Sequence, residues 1–329
     1  MPTPAPCTVR AIADDRARLW RYARDHGFAN EIKRLHSRFF LRLAAAAASD
    51  WLSVIVSVGA VVAWGLAWAP VAILVIGSRQ RALGNLLHDA AHAGYGRRDA
   101  DSIARWLLCR PMWTNLDLYR REHFAHHRSL GAAGCDGDLI HCEADMRLAW
   151  LPLLWRHVAD RRTWLGSALG QLHRVGRGEL ALMLGWWAAL IATVTLGFGP
   201  RAALTFAALW LISRATTFHL ITTFREISDH VGLQPGTLIG FCRNQTKGGV
   251  LGALIHPHNN GYHLVHHLDP LVPFHALPRA HALLMAWPEY AAACHCRTYF
   301  AGDAALVRSW VRQAPASSRA IKARRSTLP

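Results

Sequence analysis

Apolar residues along this chain gather into two long uncharged runs, with shorter amphipathic stretches around them. Trp51 to Ser78 contains no charged residue, and neither does Leu180 to Pro200. Runs of that length are candidates for membrane spans. Hairpin tips around Trp68–Pro70 and Phe198–Arg201 then predict four spans, at about residues 48–67, 68–87, 180–198 and 202–224. Two spans need about 40 residues, whereas Trp51–Ser78 supplies 28. The second helix must therefore continue through Arg79, Gln80 and Arg81 to Leu87, with those groups at the membrane border or facing protein. The later hairpin repeats the pattern: its second helix turns polar at Arg214, Thr216, Thr217 and His219 and runs into Glu226 and His230. In each hairpin the second helix leaves the bilayer and ends in a histidine. A single first span is the alternative, and it would move the N-terminus to the other side.

From Arg10 to Leu43, apolar residues recur at helical spacing among charges (Leu19, Trp20, Tyr22, Ala23, then Phe28, Ile32, Leu35, Phe39). This predicts amphipathic helices lying on the membrane or on a cytosolic cap. Ser102–Trp113, Trp150–Trp155 and Trp164 suit the interface, with Trp at headgroup depth. Residues 1–8 and 313–329 are polar and expected to be mobile. The expected organisation is an amphipathic segment at 1–43, a membrane domain at 44–312 and a basic tail at 313–329. The fold class is an all-α integral membrane protein, four helices in two hairpins beneath a helical cap.

Charge fixes the sidedness. The 329 residues are 52% hydrophobic yet carry a formal charge of +16. Of the 37 Lys and Arg, all but Arg201 fall in 1–50, 79–178 and 214–329. The positive-inside rule puts those segments and both termini in the cytoplasm. The basic excess reports topology and an anionic lipid surface, not nucleic acid. Seven cysteines (7, 109, 135, 142, 242, 294, 296) make an odd number without framework spacing, consistent with reduced thiols. Cys294-His295-Cys296 lacks the second pair a zinc site needs. No signal peptide precedes the first apolar run, and Arg outnumbers Lys 34 to 3, pointing to a bacterial inner membrane.

The chemistry lies in histidine. His88 and His92 form H-D-A-A-H, His123, His126 and His127 form H-F-A-H-H, and His263, His266 and His267 form H-L-V-H-H. His230 closes R-E-I-S-D-H. Positions i, i+3 and i+4 share a helix face, so each cluster presents its imidazoles together. Nine imidazoles exceed the capacity of one ion, and nitrogen ligation without cysteine or dense carboxylate suits iron, with zinc as the other candidate.

These boxes, with N-L-L-H-D-A-A-H, Y-R-R-E-H-F-A-H-H-R and N-N-G-Y-H-L-V-H-H-L-D-P around them, resemble the membrane fatty acid desaturase superfamily over about residues 50 to 285. The resemblance implies a four-helix stalk, a cytosolic cap holding two nonhaem irons, and O₂-dependent attack on an unactivated C–H bond of a fatty acyl chain. His230 matches that family's extra ligand. Imidazole ligands need their second nitrogen held. Asp89, Glu122, Asp136, Asp138, Glu226 and Asp229 are near enough in sequence, and each equally suits a solvated surface. Asn260, with Asn259, orders the third-box loop, holds a water or simply makes a turn. His256, His258 and His275 stay outside the ligand set.

No haem, iron–sulfur, flavin or nicotinamide signature is present. Electrons must come from a separate donor with its reductase, and the cytosolic Arg surface suits an acidic ferredoxin or cytochrome b5-like partner. A lipid or carotenoid hydroxylase or ketolase of the same superfamily is the alternative. A histidine-rich transporter would place its ligands at mid-membrane, not beyond the span ends.

Overall fold

The computed structural model describes residues 9–37, 40–93, 98–132, 136 and 148–311. The expectations for 1–8, Asp138 and 313–329 lie outside the described residues. The chain is mostly helical. It opens with α1 (Val9–Asp25) and α2 (Ala29–Leu35), followed by two long helices, α3 (Phe40–Trp64) and α4 (Ala69–Ala93). Short α5 (Arg98–Ile103) runs into a π-helical turn at Ala104–Cys109 and then α6 (Leu116–Arg128). After α7 (Trp150–Val158) and α8 (Arg161–Leu169) comes α9 (Arg177–Ser213), joined through a π-helical turn at Arg214–Phe218 to α10 (His219–His230). The remainder comprises α11 (Leu238–Phe241), β1 (Arg243–Gln245), α12 (Gly249–Ile255), α13 (His263–Leu268), α14 (Leu277–Leu284), α15 (Pro288–Ala291) and β2 (Cys294–Cys296), then a 3₁₀ turn at Leu306–Trp310.

Two of these helices are long and apolar enough to cross a membrane: α3, and the continuous Arg177–His230 stretch. The long stretch is itself bent back. Gly199 adopts φ 85°, ψ 164°, outside helical space, with Pro200 behind it. In one straight helix Trp187 and Trp210 would stand about 35 Å apart at a rise of about 1.5 Å per residue. Their ring centroids are 5.5 Å apart. The chain therefore reverses at the Gly199–Pro200 tip, and residues 177–198 pack antiparallel on the helix that follows. Trp51 of α3 stacks on Trp210 at 5.3 Å, joining the two hairpins in one bundle.

α4 carries Arg79, Gln80, Arg81 and Asn85 and is less apolar than α3, and several of these polar groups face protein, as the short first hairpin demands. Arg79 donates to Asp50 Oδ1 (2.9 Å), and Gln80 Nε2 donates to the Trp210 carbonyl (2.9 Å). The outer faces are apolar: Leu196 is 88% exposed, Leu66 81% and Leu204 73%. A soluble core helix would be covered, so this exposure favours lipid as the solvent of the bundle.

The N-terminal helices join the cap. Leu19, Ile32 and Leu35 are buried with Leu264, Val265, Leu268 and Trp287 in one core. A second core fills the bundle around Leu83, Leu86 and Trp210, and a third packs Phe224 and Ile227 against Trp310. One departure from an all-α fold is the parallel pairing of β1 with β2, which sets Asn244 opposite His295. Three-residue strands leave too little periodicity to be visible in sequence.

Gly77 sits at a close helix crossing. A Cβ there would overlap Thr217 Oγ1 and come within 2.7 Å of the Phe218 backbone nitrogen. Small residues at such crossings let helix backbones approach in a membrane. Gly77→Val is expected to cost about 1–3 kcal/mol through overpacking, read as a lowered Tm in detergent. Gly59→Val, where nothing lies within 4 Å, is the control. Equal Tm values for the two variants would show that the crossing is slack.

Candidate metal centre

The helices that leave the bundle carry the imidazoles. α4 delivers His88 and His92 one turn apart, α10 ends on His230, and α6 and α13 each carry an H-x-x-H-H box. α6 starts where Asn115 Oδ1 accepts from the backbone N–H groups of Asp117 (3.1 Å) and Leu118 (3.0 Å). At about 100° per residue, i and i+4 differ by about 40°, while i+3 swings about 60° the other way. One box can therefore serve two ions. His123 and His127 join His88, His92 and His266, whereas His126 joins His230, His263 and His267. The third box mirrors the second: His263 and His267 go to one group and His266 to the other. Within each group the potential ligand atoms lie within 4.8 Å of one another.

These groups fit metal ions. His123 Nε2 lies 2.6 Å from His92 Nε2 and 3.1 Å from His127 Nε2, which is 3.0 Å from His266 Nε2. His230 and His263 bring their Nε2 atoms to 3.0 Å. Facing lone pairs repel unless a proton or cation lies between them. A metal–nitrogen bond of about 2.0–2.1 Å places neighbouring ligands about 3 Å apart. His88 Nε2 and both ring nitrogens of His267 are buried without a hydrogen-bond partner. Burial, followed by the neighbouring imidazoles, holds His127, His263, His266 and His267 well below the usual histidine range. They stay neutral, the form that binds metal. The two groups adjoin where the His127 and His267 rings stack at 4.3 Å.

The second ring nitrogens find varied partners. His126 Nδ1 donates to Asp136 Oδ1 (2.7 Å), and Asp136 Oδ2 accepts from the Gly131 N–H (2.9 Å). His230 Nδ1 donates to the Phe241 carbonyl (2.8 Å). Each bond fixes the tautomer that leaves Nε2 facing the group. Asp229 pairs with Arg225 (2.8 Å) and lies 3.7 Å from His263 Nδ1, too far for a hydrogen bond. Asp89 accepts from the Phe274 N–H (2.9 Å), so it anchors the chain beyond the third box. Glu122 is committed to Gln171 (3.0 Å) and Arg174. Glu226 lines the cavity beside the histidines with Arg81 and Tyr119. Asn260 buries Oδ1 without a partner in a small space bounded by His88 and His266.

Other bracing carried no sequence signal. Asn244 Oδ1 accepts from the Leu264 (3.1 Å) and Val265 (3.3 Å) N–H groups at the start of α13. Arg16 donates through Nε and Nη2 to the His267 carbonyl at 3.1 and 2.9 Å. His258 donates to Asp50 Oδ2 (2.7 Å), tying the loop before α13 to α3. His258 and Asn259 hold φ near +57° and +58°, an uncommon conformation for non-glycine residues. His256 bonds Tyr299, and His256, His258 and His275 stand outside both groups. Cys294 and Cys296 hold their Sγ atoms 4.0 Å apart and belong to neither histidine group.

A family model described as fatty acid desaturase matches residues 64–298, which takes in all nine histidines. A dihydrorhizobitoxine desaturase from Bradyrhizobium elkanii is 27% identical over 258 residues, covering 70% of this chain and 71% of that protein. The chain belongs to the fatty acid desaturase family.

Proposed function

We propose that this protein is an O₂-dependent desaturase using two nonhaem irons, one in each histidine group. The observation that carries the reading is the division of His126 and His127, and of His266 and His267, between two adjoining groups. Nitrogen donors throughout suit iron. The ions would supply the oxidant that removing hydrogen from an unactivated carbon requires. The reaction balances when one CH₂–CH₂ unit, O₂, two electrons and two protons give CH=CH and two waters. The electrons come from a separate reduced donor, an acidic ferredoxin or cytochrome b5-like protein with its reductase. A fatty acyl chain is the substrate the family suggests, whether carried by CoA, carrier protein or lipid.

The side chains divide the work. Asp136 and the Phe241 carbonyl hold His126 and His230 in the ligating tautomer. Arg16 and Asn244 fix both ends of α13, so its three imidazoles keep their splay. Arg225 neutralises Asp229 beside His263. We place the bundle in a bacterial inner membrane, with all four helices spanning and the histidines and termini cytoplasmic, on the strength of the exposed apolar faces and the distribution of Arg.

Anaerobically purified protein is expected to hold two irons per chain by elemental analysis. His267→Ala should lose iron and turnover while still inserting in membranes; full iron content in that variant would sink the assignment. Asp136→Asn is expected to weaken metal affinity about 10–100-fold, the usual effect of removing a group that orients a ligand. Wild-type affinity there would make Asp136 a loop anchor only.

Reconstitution with donor, reductase and O₂ is expected to give products two mass units lighter than substrate. A gain of sixteen units with ¹⁸O₂ label retained would instead establish a hydroxylase.

A further inference from the structure

Eight of the nine imidazoles are buried, and His92 is the one that is not. It stands in the last turn of α4, about 35 Å along that helix from Ala69 at a rise of about 1.5 Å per residue. That is beyond the roughly 30 Å of a bilayer's hydrocarbon core. The cavity beside the histidines, about 100 Å³, is also lined by Arg81, and His92 does not border it. Arg81 is only about 18 Å along the same helix. The metal centre therefore has two approaches, one from the bilayer side through the cavity and one from the water side at His92.

α6 shapes the second approach. Arg121, Phe124 and Arg128 follow at i, i+3 and i+7, so they share one face of that helix. All three are exposed, Phe124 by 38%. The Phe124 ring also rests against His92, with ring centroids 5.4 Å apart. One aromatic side chain thus meets solvent on one side and a ligand imidazole on the other. Among the described residues, the carboxylates nearest in sequence are paired elsewhere. Asp117 is held by Arg105 (2.8 Å), Asp101 by Arg120 (2.8 Å) and Glu122 by Arg174. The charge left on this face is positive. An exposed aromatic flanked by guanidiniums is the composition that protein interfaces favour.

We propose that Arg121, Phe124 and Arg128 form the docking face for an acidic one-electron carrier protein, and that its electrons enter at His92. Carboxylates of the carrier meet the two guanidiniums, and Phe124 excludes water between the carrier and His92. Two reduced carriers dock in turn; each gives up one electron and leaves oxidised. Together they supply the two electrons that the proposed reaction consumes, and its two protons come from water. Complexes of this kind are small and short-lived, so a compact patch suffices, and unlike charge speeds the encounter. Because His92 does not border the cavity, a carrier can dock while an acyl chain occupies the bilayer side. The inference rests on the oxidative reading above and adds where its electrons arrive.

The test uses the full chain in phosphatidylcholine nanodiscs, with iron measured on the same preparation and an acidic [2Fe–2S] ferredoxin as the probe. Equilibrium binding of oxidised ferredoxin needs no metal in the site, and anaerobic oxidation of reduced ferredoxin, followed by absorbance, reports electron entry. Arg121→Glu with Arg128→Glu is expected to weaken binding about tenfold or more and to flatten its dependence on salt. Arg24→Glu with Arg34→Glu makes the same charge change at exposed positions of α1 and α2, and it should shift binding by no more than about twofold. Phe124→Ala should weaken binding about fivefold or more. Dithionite, which needs no docking, should reduce the charge-reversed protein as fast as wild type. Arg121→Gln with Arg128→Gln carries the test if the reversed pair does not fold. Ferredoxin binding that ignores the reversed pair, or falls equally with the control pair, would overturn the proposal. So would a reversed pair that leaves ferredoxin binding intact but dissociates a dimer of this chain or alters its preference for anionic lipid, since the patch would then serve a second copy or the membrane. Iron-free preparations whose ferredoxin binding depends on Arg121 and Arg128 would support the docking face while failing the di-iron reading.

Discussion

Nine imidazole nitrogens drawn into one buried volume repel one another, and the rest of the cap can be understood as the means of holding them there. Burial keeps His88, His127, His230, His263, His266 and His267 neutral, so lone pairs face inward among them. Such a collection is stable only with cations between the rings or with a scaffold that prevents relaxation. The scaffold is visible. α13 is gripped at its start by Asn244 and at its end by Arg16, and Asp50 ties the preceding loop to the bundle through His258. Much of the bracing comes from segments far away in sequence, so distant parts of the chain share the cost of convergence.

The bundle contributes direction. α4 and the helix after Gly199 are each continuous from the apolar hairpin into the cap, and each ends close to a ligand histidine. The π-helical turn at 214–218 widens the second of these helices where it crosses Gly77. Wide turns of this kind recur at functional sites, and this one carries Arg214 into a cavity wall. Polar residues that looked awkward in a membrane helix therefore fall into two sets. Arg79 and Gln80 hold helices together, while Arg81 and Arg214 line one cavity, and Arg81 also borders the space beside the histidines.

The candidate site was largely legible in the sequence, because spacings of i, i+3 and i+4 translate directly into geometry on a helix. The hairpins were legible because an uncharged run has few alternatives, and Gly199–Pro200 marks a reversal that the tryptophan contacts make plain. What stayed hidden was tertiary. Asp136, one of several nearby acids, holds His126 only because a turn at Gly131 brings it back, and Glu122, equally close in sequence, is drawn away by Gln171 and Arg174. His230 is oriented by a backbone carbonyl, which no residue type announces. The N-terminal helix could have lain on lipid; its contact with the His267 carbonyl puts it on the cap.

The division of the boxes also has a consequence in time. By the time a ribosome has made residue 127, the first group possesses His88, His92, His123 and His127 and lacks only His266. The second group then owns a single member, His126, and waits for His230, His263 and His267. Two sites that look equivalent in the finished molecule are thus unequal during synthesis. One is nearly complete before the second hairpin exists, and the other closes only once the chain has crossed that hairpin and returned.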